Sequence, residues 1–348
     1  MRIILSGGGT IGSVSPLIAL FEEIKKQHSE AEFLWVATRS GLEYKLIKDY
    51  NISIRSIFSG KFRRYFSFRN LLDLFLIKLG FFQSLFIILS FKPDVILSAG
   101  GFVSVPLVWA GWLLRKPSLI IQQDVKPGLA NKLMAPFAKI IAVTFEKSLS
   151  SFPPNKTVLV GNPVRRDILS GNEIEAYRFF KLNPEIPTIL VIGGGTGALS
   201  LNSLILGSLP KLVNFCQVIH LTGGRIDKTA EHPRYRSYDF LSDQLKNAYA
   251  MADVVVCRAG MGTLTEVAAL GKPTIIIPIP GSHQEENASE FLRNNAALVI
   301  EQKNLTAEGF VEAIKELLTD EVELNNLSQN IRQVMPSNAA EEIAKMII

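Results

Sequence analysis

Ile3-Ile4-Leu5-Ser6-Gly7-Gly8-Gly9-Thr10 reads as an apolar strand that turns through glycine into a helix, and Ile189-Leu190-Val191-Ile192-Gly193-Gly194-Gly195-Thr196 repeats the pattern. Glycine at a strand-to-helix turn accepts positive φ and lets the backbone approach a phosphate. The helix that follows points unpaired N–H groups and a partial positive charge at the same spot. Each copy is therefore a candidate anion cradle. Lying more than a domain's length apart, the two copies open two similar α/β domains rather than one site. This reading predicts an active site in the cleft between domains.

Outward from these turns, short apolar runs alternate with helical patterns. They are Phe33–Thr38, Val95–Ala99, Ser118–Gln122, Ile140–Thr144 and Val158–Val160 in the first half. Thr188–Ile192, Val218–Leu221, Val254–Cys257, Thr274–Pro278 and Ala297–Ile300 follow in the second. Runs without polar alternation, separated by helix-length segments, indicate parallel strands covered on both faces. The expected fold class is α/β, with two doubly wound, Rossmann-like parallel-sheet domains. Glycine and proline at Gly161-Asn162-Pro163 place the boundary so that the domains are residues 1–162 and 163–348, with the closing helix near Ala339–Ile348 returning to the first.

Composition narrows the function classes. The chain has 348 residues, enough for two cores, and 47% hydrophobic with 20% charged residues places it among globular proteins. A formal charge of +5, with basic residues spread over both halves, gives no reason to expect a nucleic-acid partner. Cys216 and Cys257 both sit in apolar runs, which argues against a disulfide framework and for a reducing compartment. Met1-Arg2 passes directly into the first strand, so no secretion signal is expected.

Between Lys61 and Phe91 the composition changes. Leu71–Phe91 is nearly long enough to span a bilayer, but Asp73, Lys78, Gln83 and Ser84 interrupt it, and a charge near the membrane centre costs at least about 2.5 kcal/mol. It is read instead as buried helix of the first domain. The preceding basic and aromatic residues, Lys61, Phe62, Arg63, Arg64, Phe66 and Arg69, suit an anionic membrane surface, with cations among headgroups and rings at the interface.

Further glycine turns follow strands at Gly100-Gly101 and Gly128, and several such turns at one sheet edge point to a shared ligand crevice. In the second half, Asp253-Val254-Val255-Val256-Cys257 runs into Arg258, Gly260, Thr263 and Glu266. A helix beginning near Thr263 holds Glu266 in its first turn. There the carboxylate either accepts hydrogen bonds from a ribose diol or complements the helix N-terminus.

Gly8-Gly9-Thr10, Gly100-Gly101-Phe102-Val103-Ser104, Gly161-Asn162-Pro163-Val164-Arg165 and the Asp253–Glu266 block together resemble, in order and spacing, the MurG family. Its members are UDP-N-acetylglucosamine:N-acetylmuramyl-(pentapeptide) pyrophosphoryl-undecaprenol N-acetylglucosamine transferases. The resemblance covers nearly the whole chain. It implies a two-domain GT-B fold and an enzyme on the cytoplasmic face of the cell membrane that adds N-acetylglucosamine to lipid I with inversion, giving lipid II.

For the donor, UDP-N-acetylglucosamine, the resemblance implies that Glu266 binds ribose, that Arg165, Gly194, Gly195 and Thr196 lie by the diphosphate or sugar, and that Phe240 and Leu241 meet the uracil. Arg258, Gly260 and Thr263 belong to the same block. Gln284 and Asn287 match a sugar-contacting stretch, or else serve as ordinary capping and surface residues. For the undecaprenyl-pyrophosphoryl acceptor it implies Gly8, Gly9, Thr10, Gly12, Gly100 and Gly101 at the pyrophosphate, with Gln123 and Asn131 nearby. Lys61–Arg69 falls on the family's membrane-facing surface.

Two departures touch the chemistry. Ser13 stands where the family has histidine, and Ile121-Gln122-Gln123-Asp124 stands where it usually reads His-Glu-Gln-Asn. Inverting transfer needs a base at the acceptor hydroxyl. Serine is too weak unaided, so Asp124 is the candidate base. In the donor loop, Gly195 and Thr196 replace the family's serine and glutamine. Three readings remain open: the transferase itself, a GT-B enzyme with a different lipid or small-molecule acceptor, and a non-catalytic UDP-sugar or lipid binder. No Asp-x-Asp, histidine pair or cysteine pair suggests a metal site, so no cofactor is expected beyond weak magnesium stimulation. A nicotinamide dehydrogenase is disfavoured because neither loop is followed, in a clear βαβ context, by the expected acidic ribose residue about 20 positions on.

Overall fold

Strands made of uninterrupted apolar residues need cover on both faces, and helices supply it here. The computed structural model describes the chain apart from residues 9–10, 39–43, 45–46, 48–49, 61–68, 195–197, 225–229 and 348, and apart from the side chains at 11 and 69–72. Its contacts divide the chain into one unit of Met1–Arg165 with Pro336–Ile348 and another of Arg166–Met335. The sequence reading put the first division at 162.

In the first unit, β1 (Arg2–Ser6), β2 (Glu32–Ala37), β3 (Ser53–Ser56), β4 (Val95–Ser98), β5 (Ser118–Gln122), β6 (Ile140–Val143) and β7 (Thr157–Leu159) form a parallel sheet. Its order is β3-β2-β1-β4-β5-β6-β7. Helices α1 (Ser15–Gln27), α2 (Arg69–Phe91), α3 (Ser104–Leu113) and α4 (Leu129–Met134) connect the strands. Side chains alternate along each strand, so Ile3 and Leu5 enter a core with Leu17 and Trp35, while Ile4 enters another with Ile88, Ile96 and Leu107.

In the second unit, β8 (Thr188–Ile192), β9 (Gln217–Leu221), β10 (Tyr235–Tyr238), β11 (Val254–Cys257), β12 (Thr274–Ile276) and β13 (Leu298–Val299) pair in the order β10-β9-β8-β11-β12-β13, again all parallel. Its helices are α5 (Glu173–Phe180), α6 (Leu199–Leu212), α7 (Leu245–Met251), α8 (Met261–Leu270), α9 (Gln284–Arg293), α10 (Ala307–Thr319) and α11 (Glu321–Ile331). The last helix, α12 (Ala339–Ile347), belongs to the first unit, where Ile343 and Ala344 are fully buried in the core that contains Leu17 of α1.

Two strands escaped the sequence reading. Ser-Ile-Arg-Ser of β3 and Tyr-Arg-Ser-Tyr of β10 lie at sheet edges, where one side of the strand meets no neighbour and polar residues are tolerated. A search for apolar runs finds central strands and passes over such edges.

The expectation that Leu71–Phe91 is buried is corrected. It is part of the single helix α2, in which Ile87 and Ile88 are buried while Leu74, Phe75, Phe82, Phe86 and Leu89 are exposed. Phe75, Phe82, Phe86 and Leu89 follow helical spacing and form an apolar stripe that also carries exposed Lys78. The segment Asp73–Phe91 is long and apolar enough to cross a membrane by composition alone.

Candidate active site

In a doubly wound sheet, ligands bind beyond the carboxyl ends of the strands, where the strand order reverses. In the first unit that point lies between β1 and β4. Ser6 pairs with Ser98, so the loops after β1 and β4 leave the sheet side by side. They touch: Gly101 has φ +88°, and a Cβ there would lie 2.6 Å from Gly8 O. Gly100 also has positive φ, and its N–H donates to Ser98 Oγ (3.1 Å). Ser104 Oγ lies 3.0 Å from both Ser6 O and Gly100 O, tying the start of α3 to both loops. Ser13, at the end of the short helix Ile11–Ser13 that contains Gly12, is buried and donates to Gly8 O at 3.4 Å.

The loop after β5 joins this cluster. Gln123 donates from Nε2 to Ala99 O (3.2 Å). Asn131, in the first turn of α4, is buried with Oδ1 facing the Cβ position of Gly100 at 3.4 Å and making no hydrogen bond within the protein. Asp124 is half-buried beside Gln123. The structure thus brings Gly8, Gly12, Ser13, Gly100, Gly101, Gln123, Asp124 and Asn131 to one edge of the first sheet. Gly9 and Thr10 lie outside the described residues, as do Lys61, Phe62, Arg63, Arg64 and Phe66 and the side chain of Arg69.

In the second unit the reversal falls between β8 and β11, where Ile192 pairs with Cys257. Gly194 and Gly260 follow these strands, and a Cβ on either would meet nothing within 4 Å. Helices α5, α10 and α11 begin with side-chain caps from Asn172, Thr306 and Asp320. By contrast, α6 and α8 start after Ala198 and Gly260, which supply no side-chain acceptor. Two helix N-termini at one switch point make an electropositive edge. Gly195 and Thr196 lie outside the described residues.

The helix α8 starts at Met261 rather than near Thr263, because Gly260 is already its N-cap, so Glu266 sits in the second turn. Thr263 and Glu266, three residues apart, share its partly exposed face. Glu266 Oε2 accepts a hydrogen bond from the hydroxyl of fully buried Tyr249 (2.8 Å).

Two residues expected to touch the donor are instead buried braces. Arg258 donates from Nη1 to Ile277 O (2.8 Å) and from Nη2 to Ser200 Oγ and Gln302 Oε1 (both 2.6 Å), and burial pulls its pKa down. Asn287 is 0% exposed and donates from Nδ2 to Ala259 O (3.1 Å), shaping the loop rather than facing solvent. Gln284 is half-buried, accepts from Ile279 N (3.2 Å) and closes the loop after β12. Phe240 is exposed and Leu241 buried just past β10. Arg165 is the last residue of the first unit before the division.

The sequence reading missed Tyr249 and a second buried group. His220 on β9 bonds Tyr235 OH through Nδ1 (2.9 Å) and Asn202 Oδ1 through Nε2 (3.0 Å). Asn202, in the first turn of α6, donates to Thr222 O (3.0 Å), which identifies its nitrogen and makes Nε2 of His220 the protonated one. Burial lowers the His220 pKa to about 4, so it is neutral. A histidine inside an apolar strand is the signal that was available for this network. Among the described residues, no group of three His, Cys, Asp or Glu side chains is arranged to hold a metal ion.

Two doubly wound units with glycine loops at both switch points define the GT-B class, and comparison with known proteins narrows it. The glycosyltransferase family 28 N-terminal domain matches residues 3–143, and the family's C-terminal domain matches residues 188–346. The UDP-N-acetylglucosamine--N-acetylmuramyl-(pentapeptide) pyrophosphoryl-undecaprenol N-acetylglucosamine transferase of Legionella pneumophila (strain Paris) is 36% identical, over 99% of this chain and 96% of its own. Transferase 2 of that name from Bacillus cereus is 35% identical, over 91% of each chain. The crystal structure of Acinetobacter baumannii MurG superposes with a TM-score of 0.74 at 26% identity, covering 99% of this chain and 98% of that one. The chain belongs to glycosyltransferase family 28.

Proposed function

We propose that this protein is an inverting glycosyltransferase that moves N-acetylglucosamine from UDP-N-acetylglucosamine to the N-acetylmuramyl-(pentapeptide) pyrophosphoryl-undecaprenol acceptor, lipid I, forming lipid II for peptidoglycan. The observation that carries this reading is the full-length likeness to enzymes of that name, which spans both glycine-loop edges.

In the proposed mechanism the second unit holds the donor. The N-termini of α6 and α8 face its diphosphate, Glu266 accepts from the ribose hydroxyls, and the backbone at Phe240-Leu241 meets the uracil. As the glycosidic bond breaks, charge grows on the departing UDP, and preorganised N–H groups stabilise it without reorganising. Arg258 and Asn287 support this site through the loops they hold. The first unit takes the acceptor, whose pyrophosphate lies against the loops of Gly8 and Gly100-Gly101. Asp124 removes the proton of the attacking hydroxyl. The proposal requires no metal, because the helix N-termini carry the charge; it allows weak magnesium stimulation, and turnover in excess chelator checks it.

The proposed membrane surface joins α2 to the basic and aromatic residues Lys61, Phe62, Arg63, Arg64, Phe66 and Arg69 that precede or begin it. Its exposed Phe75, Phe82, Phe86 and Leu89, with Lys78 among them, suit an amphipathic helix lying in a headgroup region. The proposed location is peripheral, on the cytoplasmic face of the cell membrane.

The test is transfer of labelled N-acetylglucosamine from its UDP donor to a short-chain lipid I analogue, with donor binding followed by calorimetry. Turnover supports the proposal. Donor binding without turnover favours another acceptor, the reading suggested by Ser13, Gln122 and Asp124 standing at changed positions on the acceptor side, or a non-catalytic binder. Absence of both overturns the functional reading.

A further inference from the structure

Gln122, the last residue of β5, is only 1% exposed, and its amide sits at the centre of a small network. Nε2 donates to Asp124 O at 2.6 Å and reaches Lys126 O at 3.4 Å. Oε1 accepts from Asn131 Nδ2 at 2.7 Å, and the same Nδ2 donates to Ile121 O at 3.0 Å. Thr144 Oγ1 donates to Gln122 O (3.2 Å), holding the backbone from the neighbouring strand.

The direction of every bond follows from its partners. The carbonyls of Asp124, Lys126 and Ile121 only accept, so the atoms facing them must be the amide nitrogens of Gln122 and Asn131. An amide at position 122 therefore makes contacts that a carboxylate cannot. Ionised glutamate there would set an acceptor against the carbonyls of Asp124 and Lys126 and bury an uncompensated charge. Position 124 is half-buried, less enclosed than position 122.

We infer that Gln122 is a positioning residue for the transfer reaction: by holding the Asp124 carbonyl and fixing Asn131, it sets where the Asp124 carboxylate stands and turns Asn131 Oδ1 toward the Gly100 loop. The inference rests on the proposed role of Asp124 as base. It gives the neutral Gln122 and the acidic Asp124 one joint function. The charge needed for proton removal is kept off the buried position, and the turn that carries it is held by an uncharged donor.

The experiment is a double-mutant cycle on the full chain, using Gln122→Met, Asp124→Asn and the pair, with kcat on a short-chain lipid I analogue and KM for UDP-N-acetylglucosamine. Asp124→Asn should lower kcat by about 10²-fold or more. Gln122→Met should lower it by about tenfold or more with donor KM unchanged within about twofold, and the loss in the pair should fall well short of the product of the two single losses, because holding the Asp124 turn matters only while its charge is present. Methionine removes both the donor to Asp124 O and Lys126 O and the acceptor used by Asn131, so Gln122→Glu, assayed at about pH 8.5 to favour its ionised form, is the second variant. It keeps the acceptor used by Asn131 and, when ionised, replaces the donation to Asp124 O and Lys126 O by a buried charge, and it should show the same non-additivity. Full turnover by Asp124→Asn overturns the base assignment and this inference with it. Loss in Asp124→Asn, with Gln122 variants that are unaffected or multiply that loss, overturns the inference alone.

Discussion

Tyr249, which has no exposed surface, donates its phenolic hydrogen to Glu266 Oε2 at 2.8 Å and so fixes a carboxylate on the partly exposed face of α8. A hydrogen bond from a buried hydroxyl orients an acceptor at little entropic cost, because a ring has few rotamers to lose. Glu266→Ala should weaken UDP-N-acetylglucosamine binding by about 10- to 100-fold, the loss of a charge-assisted contact of about 1.5–3 kcal/mol. Tyr249→Phe should weaken donor binding by about threefold to tenfold, because the carboxylate remains but loses the charge-assisted bond that orients it. Calorimetry of both variants is the check, and unchanged affinity in Glu266→Ala would remove it from the donor site.

Gly101 and Gly260 should respond in opposite ways to alanine. At Gly101 the left-handed φ costs a side-chain residue about 1–2 kcal/mol, and the new methyl collides with Gly8 O, which is backbone and cannot swing aside. Gly101→Ala should lower the melting temperature by several degrees and abolish transfer, with donor affinity intact. Gly260 has φ −82° and open space beside it. Gly260→Ala should leave stability within about 0.5 kcal/mol while weakening donor binding. Thermal melts paired with calorimetry separate the two.

His220 links stability to pH. Its pKa is lowered to about 4 in the folded protein from 6.5, so between these values the unfolded chain binds more protons. Stability then falls as pH drops from 6.5 toward about 4, by up to about 3 kcal/mol, and is insensitive to this group above 6.5. Urea melts across that range should show the slope in the native sequence and a shallower one in His220→Gln. Equal slopes would remove His220 as the source.

The exposed stripe on α2 predicts membrane affinity. Burying a phenylalanine side chain contributes about 1.5–3 kcal/mol, so Phe82→Ser with Phe86→Ser should weaken binding to vesicles containing anionic lipid by more than about 10²-fold. Sedimentation with vesicles measures it, and the thermal melt should not fall, because both rings are exposed already. Unaltered vesicle binding would take α2 out of the interface.

The central strands β5, β8 and β11 were legible to the residue, as were the glycine turns that end β1, β4, β8 and β11. Each depends on neighbours in the chain: apolar residues in a run and glycine where the backbone must turn. The stripe on α2 was misread for the opposite reason. Leucines and phenylalanines on one helix look alike whether a neighbouring helix covers them or nothing does.

The sequence by itself determined two parallel-sheet domains and the glycine turns at their switch points. Only tertiary structure decided what each side chain does there. Arg258 and Asn287 stand in the expected loops yet are held by protein acceptors, while Tyr249 and Gln122 take charge of Glu266 and Asp124. The physical reason is that strand and turn propensities are set by adjacent residues, whereas a hydrogen bond between Tyr249 and Glu266, or between Arg258 and Gln302, exists only after distant segments have packed and excluded water from the groups that pair.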